Sequence, residues 1–294
     1  MPEKVISGTS LVILGTIQDA GSPHIACKKK CCQNLFKVPD KGRKVVSLGL
    51  IDAENNKNYL FEATPDITEQ MKKLMSADTS EGKELADGIF LTHAHIGHYT
   101  GLMYLGKEAV SADSVPVFAM PKMKIFLEQN GPWSQLVTNS NISIQEINNK
   151  KEITLSSSLH VIPFTVPHRD EFSETVGYQI VSKNKKIIFI PDIDKWGKWK
   201  KNIIEVVKNS DHVLIDATFY QNKEVKGRDM SEIPHPFVEE SMSLFKDLSF
   251  EEKNKIIFIH FNHSNPLLNP KSKESKHVES LGFKLARQLD VISL

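Results

Sequence analysis

Cysteine is scarce in this chain: three in 294 residues, at Cys27, Cys31 and Cys32, with none elsewhere to pair with. That excludes the disulfide framework of a small secreted domain and favours a reducing compartment, so a cytoplasmic location is expected. Long apolar runs are missing too. The longest near the N-terminus, Leu11 to Leu14, falls far short of the roughly 20 residues of a membrane helix and has no cleavage-type flank, so no membrane partner is expected. Neither sign of charge dominates: 37 Lys and Arg against 36 Asp and Glu leave a net charge of +1, which removes the global electrostatic case for binding nucleic acid. One local exception, Lys195 to Lys201 (K-W-G-K-W-K-K), follows Asp192 and reads as a solvated helix start whose tryptophans pack locally. There is no G-x-S-x-G elbow, and the cysteines lie in a different motif from the histidines, so Ser or Cys nucleophilic catalysis has no support. Solenoid repeats and low-complexity tracts are also absent.

What the chain does have is a 40 % hydrophobic content without a composition break, ample for one packed domain over residues 1–294. Its most informative run is Ile89-Phe90-Leu91-Thr92-His93-Ala94-His95-Ile96-Gly97-His98. Residues two apart on an extended segment project to the same face, so His93 and His95 aim at one point. Gly97 then lets the chain turn and brings His98 back toward that point, at the start of a helix through Leu105. Converging neutral imidazoles suit zinc, or iron or manganese where carboxylates join them.

Other apolar runs also stop at candidate ligands. Ser158 to Val166 leads into His168, Lys186 to Ile190 into Asp192, His212 to Ile215 into Asp216, and Lys255 to Ile259 into His260, with His263 three residues later. Strand ends beside loops are where a rigid scaffold presents reactive groups, and one shared metal site explains all of them. Asp216, followed by Ala217-Thr218, is the weaker member, because an Asp in that place is often a helix cap. Further strands are expected near 10–17, 44–51, 58–63, 115–119, 152–166, 175–182 and 289–293, and helices near 66–76, 121–129 and 236–247. Strands first and mixed alternation later suit a two-sheet α/β sandwich better than a single doubly wound sheet.

His24, Cys27, Cys31 and Cys32 fall within nine positions and fit a structural zinc that pins a Cys-rich loop at about 24–34. A redox-active thiol pair, or free cysteines activated by Lys28, Lys29 and Lys30, are the rival readings. A divalent ion with an open position makes hydrolysis the default chemistry. His93, His95, His98, His168, Asp192 and His260 are the candidates to hold the ion or to act as acid and base beside it. His235 and His263 are candidates for contact with an anionic substrate group, and Arg169, Asp170 and Glu171 for orienting His168. His160, His212 and His277 are assigned to structure or solvent. The expected partner is a small anionic molecule, with a homodimer left open.

These residues, in this order, resemble the metallo-β-lactamase superfamily. Within it the chain looks most like the branch of the pyrroloquinoline quinone (PQQ) biosynthesis B proteins. Leu14 to Pro23, Ala63 to Asp66, Thr175 to Tyr178, Asp216 to Phe219 and Ile259 to Pro266 carry that likeness. The resemblance implies an αβ/βα sandwich, two mixed β-sheets face to face with helices on the outer faces, and a metal site at one edge. It implies a first site of His93, His95 and His168, and Asp192 bridging to a second site completed by His98 and by His260 or His263. The superfamily usually has an Asp ligand of the second metal where this chain has Gly97, so that site is short of a donor unless Asp19, Glu62 or Asp66 substitutes. The resemblance also brings two alternatives to a phosphodiester or ester hydrolase using metal-bound hydroxide. One is an iron-dependent oxygenase or hydroxylase of quinone-cofactor biosynthesis; the other is a catalytically silent metal-binding protein.

Overall fold

The computed structural model describes residues 6, 8–77, 83–222, 224 and 233–294. Its strands, in chain order, are Ser10–Gly15 (β1), Ser47–Asp52 (β2), Lys57–Phe61 (β3), Gly88–Phe90 (β4), Val115–Ala119 (β5), Ile142–Glu146 (β6), Ile153–Ser156 (β7), Leu159–Thr165 (β8), Val176–Val181 (β9), Lys186–Ile190 (β10), His212–Asp216 (β11), Ile256–Ile259 (β12), Lys284–Leu285 (β13) and Val291–Ser293 (β14). They form two seven-stranded mixed sheets, ordered β14-β1-β2-β3-β4-β5-β6 and β13-β12-β11-β10-β9-β8-β7.

The apolar runs are continuous rather than alternating because both faces of each sheet are covered. Leu11 and Ile13 of β1 face the second sheet, while Val12 and Leu14 face helices; on β10, Ile187 and Phe189 turn inward and Ile188 and Ile190 outward. The layer between the sheets is filled by Phe61, Phe90, Tyr178, Phe189, Leu214 and Ile257, each large apolar side chain contributing about 1.5–3 kcal/mol on burial. Outside the first sheet, helix Ile67–Ala77 buries Ile67, Met71, Leu74 and Met75, the i, i+4, i+7, i+8 stripe of an amphipathic helix. Pro121–Gln129 adds Met123 and Leu127 to the same apolar layer, and Ile203–Lys208, Val238–Leu244 and Lys273–Ser280 cover the second sheet. The αβ/βα sandwich is therefore the architecture.

The structure redraws some local elements. The run expected as one strand at 152–166 is the hairpin β7–β8, turning at Ser157-Ser158, where small polar residues suit a turn better than a strand. The strand expected from 44 starts at Ser47, and Val45 contributes an isolated bridge to Ile17. Strand β6, with its polar Ser143, Gln145 and Glu146, was not foreseen; it sits at the end of the sheet, where one side of the strand is unpaired. Between Lys195 and Lys201 only Trp196–Lys198 is helical, one 3-10 turn, and Trp199 stacks on Phe164 at 5.8 Å. Among the described residues no helix is long and apolar enough to cross a membrane.

Candidate metal centre

Strand direction decides where the polar residues meet. Strands β3, β4 and β5 run parallel, and β1 shares their direction because it is two antiparallel steps from β3. In the second sheet β10, β11 and β12 run parallel, and β8 shares their direction for the same reason. Asp19 after β1, Glu62 after β3, His93 and His95 after β4, His168 after β8, Asp192 after β10, Asp216 ending β11 and His260 after β12 thus all lie at C-terminal strand ends, on one edge of the sandwich. Tyr178 of β9 donates its hydroxyl hydrogen to Leu91 O, and Val176 N–H donates to Thr92 O at 3.1 Å, tying the histidine loop to the opposite sheet.

Asp192, fully buried, is the hub. Its Oδ2 lies 3.4 Å from His93 Nε2, 3.5 Å from His98 Nε2 and 3.7 Å from His260 Nε2, and its Oδ1 lies 3.4 Å from His168 Nε2. Donors about 2.0–2.1 Å from a tetrahedral zinc would stand roughly 3.3 Å apart, so these separations fit a shared ion. His93 Nε2 and His95 Nδ1 face each other at 2.8 Å, a spacing that needs a proton or a cation between them. Burial lowers the pKa of His93, His95 and His168 below the ordinary imidazole value, keeping them neutral and able to ligate. His98 Nε2, His168 Nε2 and His260 Nε2 are buried without a hydrogen-bond partner among the described residues, which a bound cation would remedy. His93, His95, His168 and Asp192 form one group of donor atoms within 4.8 Å of one another, and Asp19, His98 and His260 another.

The other ring nitrogens are held from behind, as metal-binding histidines require. Thr92 Oγ1 lies 2.9 Å from His93 Nδ1, and Glu62 Oε2 lies 3.5 Å from His98 Nδ1. Thr218 Oγ1 donates to Asp216 Oδ1 at 2.7 Å and so accepts from His260 Nδ1–H at 2.8 Å, leaving the His260 Nε2 lone pair for the centre. His260 and Glu62 both have left-handed backbones, φ 67° and 76°, uncommon outside glycine and found where a site over-determines the chain. Burial disfavours charge on His98, but Glu62 and Asp192 outweigh it and hold its pKa well above the usual range. His235 Nδ1 sits 2.8 Å from Asp216 Oδ2 and 3.1 Å from Asp192 Oδ1. Against the penalty of burial, the two carboxylates raise His235 to about 10, and His235 in turn helps pull Asp216 down to about 2.

The structure sorts the remaining candidates. His263 does not join His260: its Nδ1 is 3.3 Å from Cys32 Sγ and 3.6 Å from Cys31 Sγ, and Cys27 Sγ is 3.9 Å from Cys31 Sγ. Zn–S bonds of about 2.3 Å with a Zn–N bond of about 2.0 Å imply roughly 3.8 Å between sulfurs and 3.5 Å from sulfur to nitrogen in a tetrahedron, so these four side chains fit one zinc. The structure departs from the expected set at His24, whose ring is held at 2.7 Å from Ile25 O and stacks beside His263 at 4.6 Å, while its backbone N–H donates to Cys32 Sγ. Burial, with His24 and Lys29 nearby, pulls His263 down to about 4. Burial and the adjacent Cys32 push Cys31 up to about 12, whereas at Cys27 the penalty of burial is outweighed by hydrogen bonds from the Lys29 backbone and the neighbouring thiols, which lower its pKa.

Of the three substitute carboxylates, Asp66 accepts Val45 N–H at 2.9 Å and pairs with Lys44, away from the centre, and Glu62 lies behind His98. Asp19 faces the His98–His260 gap. Asp216, ranked low from the sequence, turns out to organise both His235 and His260; the hydroxyl two residues on, Thr218, was the available signal. Glu171 Oε2 reaches His95 Nε2 at 3.4 Å rather than His168, and Asp170 accepts from Thr175. His160 pairs with Glu152, and His277 is exposed on its helix.

Residues 57–261 match the β-lactamase superfamily domain. The chain is 24 % identical to coenzyme PQQ synthesis protein B of Acinetobacter baumannii, over 94 % of this chain and 97 % of that protein. Among solved structures, Zn(2+)-bound PqqB from Methylobacterium extorquens superposes with a TM-score of 0.80 at 21 % identity, covering 97 % of this chain and 100 % of the other. A diphosphatase from the PhnP family superposes with a TM-score of 0.66 at 20 % identity, covering 97 % and 96 %.

Proposed function

This chain belongs to the β-lactamase superfamily, and from that premise we propose that it is a metal-dependent hydrolase of a small anionic phosphodiester or ester-type substrate. The observation that carries the reading is the buried Asp192 carboxylate ringed by imidazole nitrogens at spacings a transition-metal shell would have, those of His98, His168 and His260 being without a hydrogen-bond partner among the described residues. His93, His95, His168 and Asp192 would hold one ion, and His98 and His260 face a second position across Asp192. The donor set suits zinc, and the zinc-bound PqqB of the same fold supports that choice. When bound, such an ion lowers the pKa of a coordinated water and polarises a phosphoryl or carbonyl oxygen.

The chain's own residues supply the rest. Asp216 and Asp192 hold His235 charged by one edge of its ring, so the opposite nitrogen, Nε2–H, is the proton donor for a leaving group. Arg169, half exposed beside His95, is the cation at the mouth for an anionic substrate. The likeness to a diphosphatase supports a phosphorus-containing one.

Purified protein should contain zinc and turn over members of a small phosphodiester and ester panel. His95→Ala should lose metal and at least about 100-fold of that activity; equal activity in the variant would refute the centre. The likeness to coenzyme PQQ synthesis protein B over 94 % of the chain supports a second reading, a step in quinone-cofactor synthesis, which the resemblance read from the sequence implies to be an iron-dependent hydroxylation. Iron content with substrate-dependent oxygen uptake, and no hydrolysis, would select it.

We assign Cys27, Cys31, Cys32 and His263 to a structural zinc. Cys27→Ser should lose one zinc that survives mild chelation in the wild type; full retention of zinc in the variant would remove this assignment.

A further inference from the structure

Gly97 lies in the short helix Ile96–Tyr99 and is not among the residues with positive φ. It is therefore not needed for a turn, as the sequence suggested. What it provides is room. A Cβ at position 97 would come 2.1 Å from Asp19 Cβ, 2.4 Å from Asp19 Cα and 2.9 Å from Asp19 O, so Asp19 fills the volume that any side chain on residue 97 would occupy. Asp19 is delivered there from another part of the fold. Ile17 bridges Phe261, Phe261 N–H donates to Thr16 O at 2.7 Å, and Gln18 N–H donates to Phe261 O at 2.9 Å, so the turn after β1 is clamped beside His260. Its carboxylate lies within 4.8 Å of donor nitrogens of both His98 and His260, and the His98 and His260 Nε2 atoms are buried without hydrogen-bond partners among the described residues.

We propose that Asp19 and Gly97 work as a pair: Asp19 is the carboxylate ligand of a second ion held with His98 and His260, and Gly97 is the clearance that admits it. The inference rests on the metal-centre reading above. Asp19, His98 and His260 bring one carboxylate and two imidazoles to a position beside the Asp192 carboxylate, a donor set suited to a divalent ion. The second position is thus supplied by a residue nearly eighty places before His98 rather than by its neighbour. Occupancy of that position then depends on the β1 turn staying docked on Phe261.

The test is the metal content of the purified full chain after dialysis against zinc, with affinity for the weaker ion followed by competition with a chromophoric chelator. Asp19→Ala and Asp19→Asn should each hold one ion per chain fewer than wild type, or bind it more than about 100-fold more weakly. Gly97→Ala should do the same although it removes no donor atom, because its methyl group displaces Asp19. Circular dichroism and the zinc of the cysteine cluster serve as folding readouts, since Asp19 sits in a surface turn. Wild-type stoichiometry and affinity in both Asp19 variants would overturn the assignment while leaving the first ion intact. Loss of no metal even in His93→Ala would instead overturn the centre itself, and this inference with it.

Discussion

Asp192→Ala is expected to lose the histidine-bound ions and the hydrolytic activity together, with kcat/KM falling by about 10³-fold or more. Among the described residues no other carboxylate touches both groups of ligands: Asp192 lies within 3.4–3.7 Å of imidazole nitrogens from His93, His98, His168 and His260. Burial penalises its charge, but His168, His260 and His235 outweigh the penalty and keep its pKa well below the usual carboxylate range. Deleting it therefore removes the negative charge that would offset a cation at either position. The fold should survive, because Glu62 still faces His98 and Asp216 still holds His235, and burial keeps His93, His95 and His168 neutral. Metal analysis, circular dichroism and turnover on the same preparation check this, with His160→Ala, which removes the pairing with the exposed Glu152, as the control. A variant that keeps its ions, or keeps turnover, contradicts the role of Asp192 as the hub.

His235→Gln should leave metal content unchanged and lower kcat by about 10²–10⁴-fold on substrates with a strongly basic leaving group. On a nitrophenyl substrate, whose leaving group departs without a proton, the loss should shrink to a few-fold. Glutamine keeps a hydrogen-bond donor toward Asp216 but has no proton to give at the opposite edge. The contrast between leaving groups separates proton donation from binding, since the latter would raise KM for both substrates alike. Equal losses of kcat with the two substrates would contradict proton donation by His235. Loss of metal would mean that His235 belongs to the ligand set, a role its distance to Asp192 allows.

Much of this site is legible in the chain. His93, His95, His168, Asp192 and His260 each end or follow an apolar run, and apolar runs covered on both faces become strands of parallel direction whose ends share an edge. The same regularity makes the two-sheet sandwich readable, since helical stripes such as Ile67, Met71, Leu74 and Met75 alternate with those runs. Less legible are polar residues whose partners are remote. Asp216 looked like a helix cap because its partner His235 is nineteen residues further along the chain. Strand β6 was missed because its polar residues lack the apolar signal.

The sequence by itself determined the donor inventory and the strand-end placement of most of it, because hydrophobic period and turn chemistry are local properties of the chain. Only the tertiary structure decided which donor meets which. His260 enters the histidine centre while His263, three residues on, turns to the cysteines; Asp19, and neither Glu62 nor Asp66, reaches the His98–His260 gap. Those choices hang on the left-handed backbone at His260 and on the docking of β1 against Phe261. Distances through space across two sheets set them, and no spacing along the chain encodes such distances.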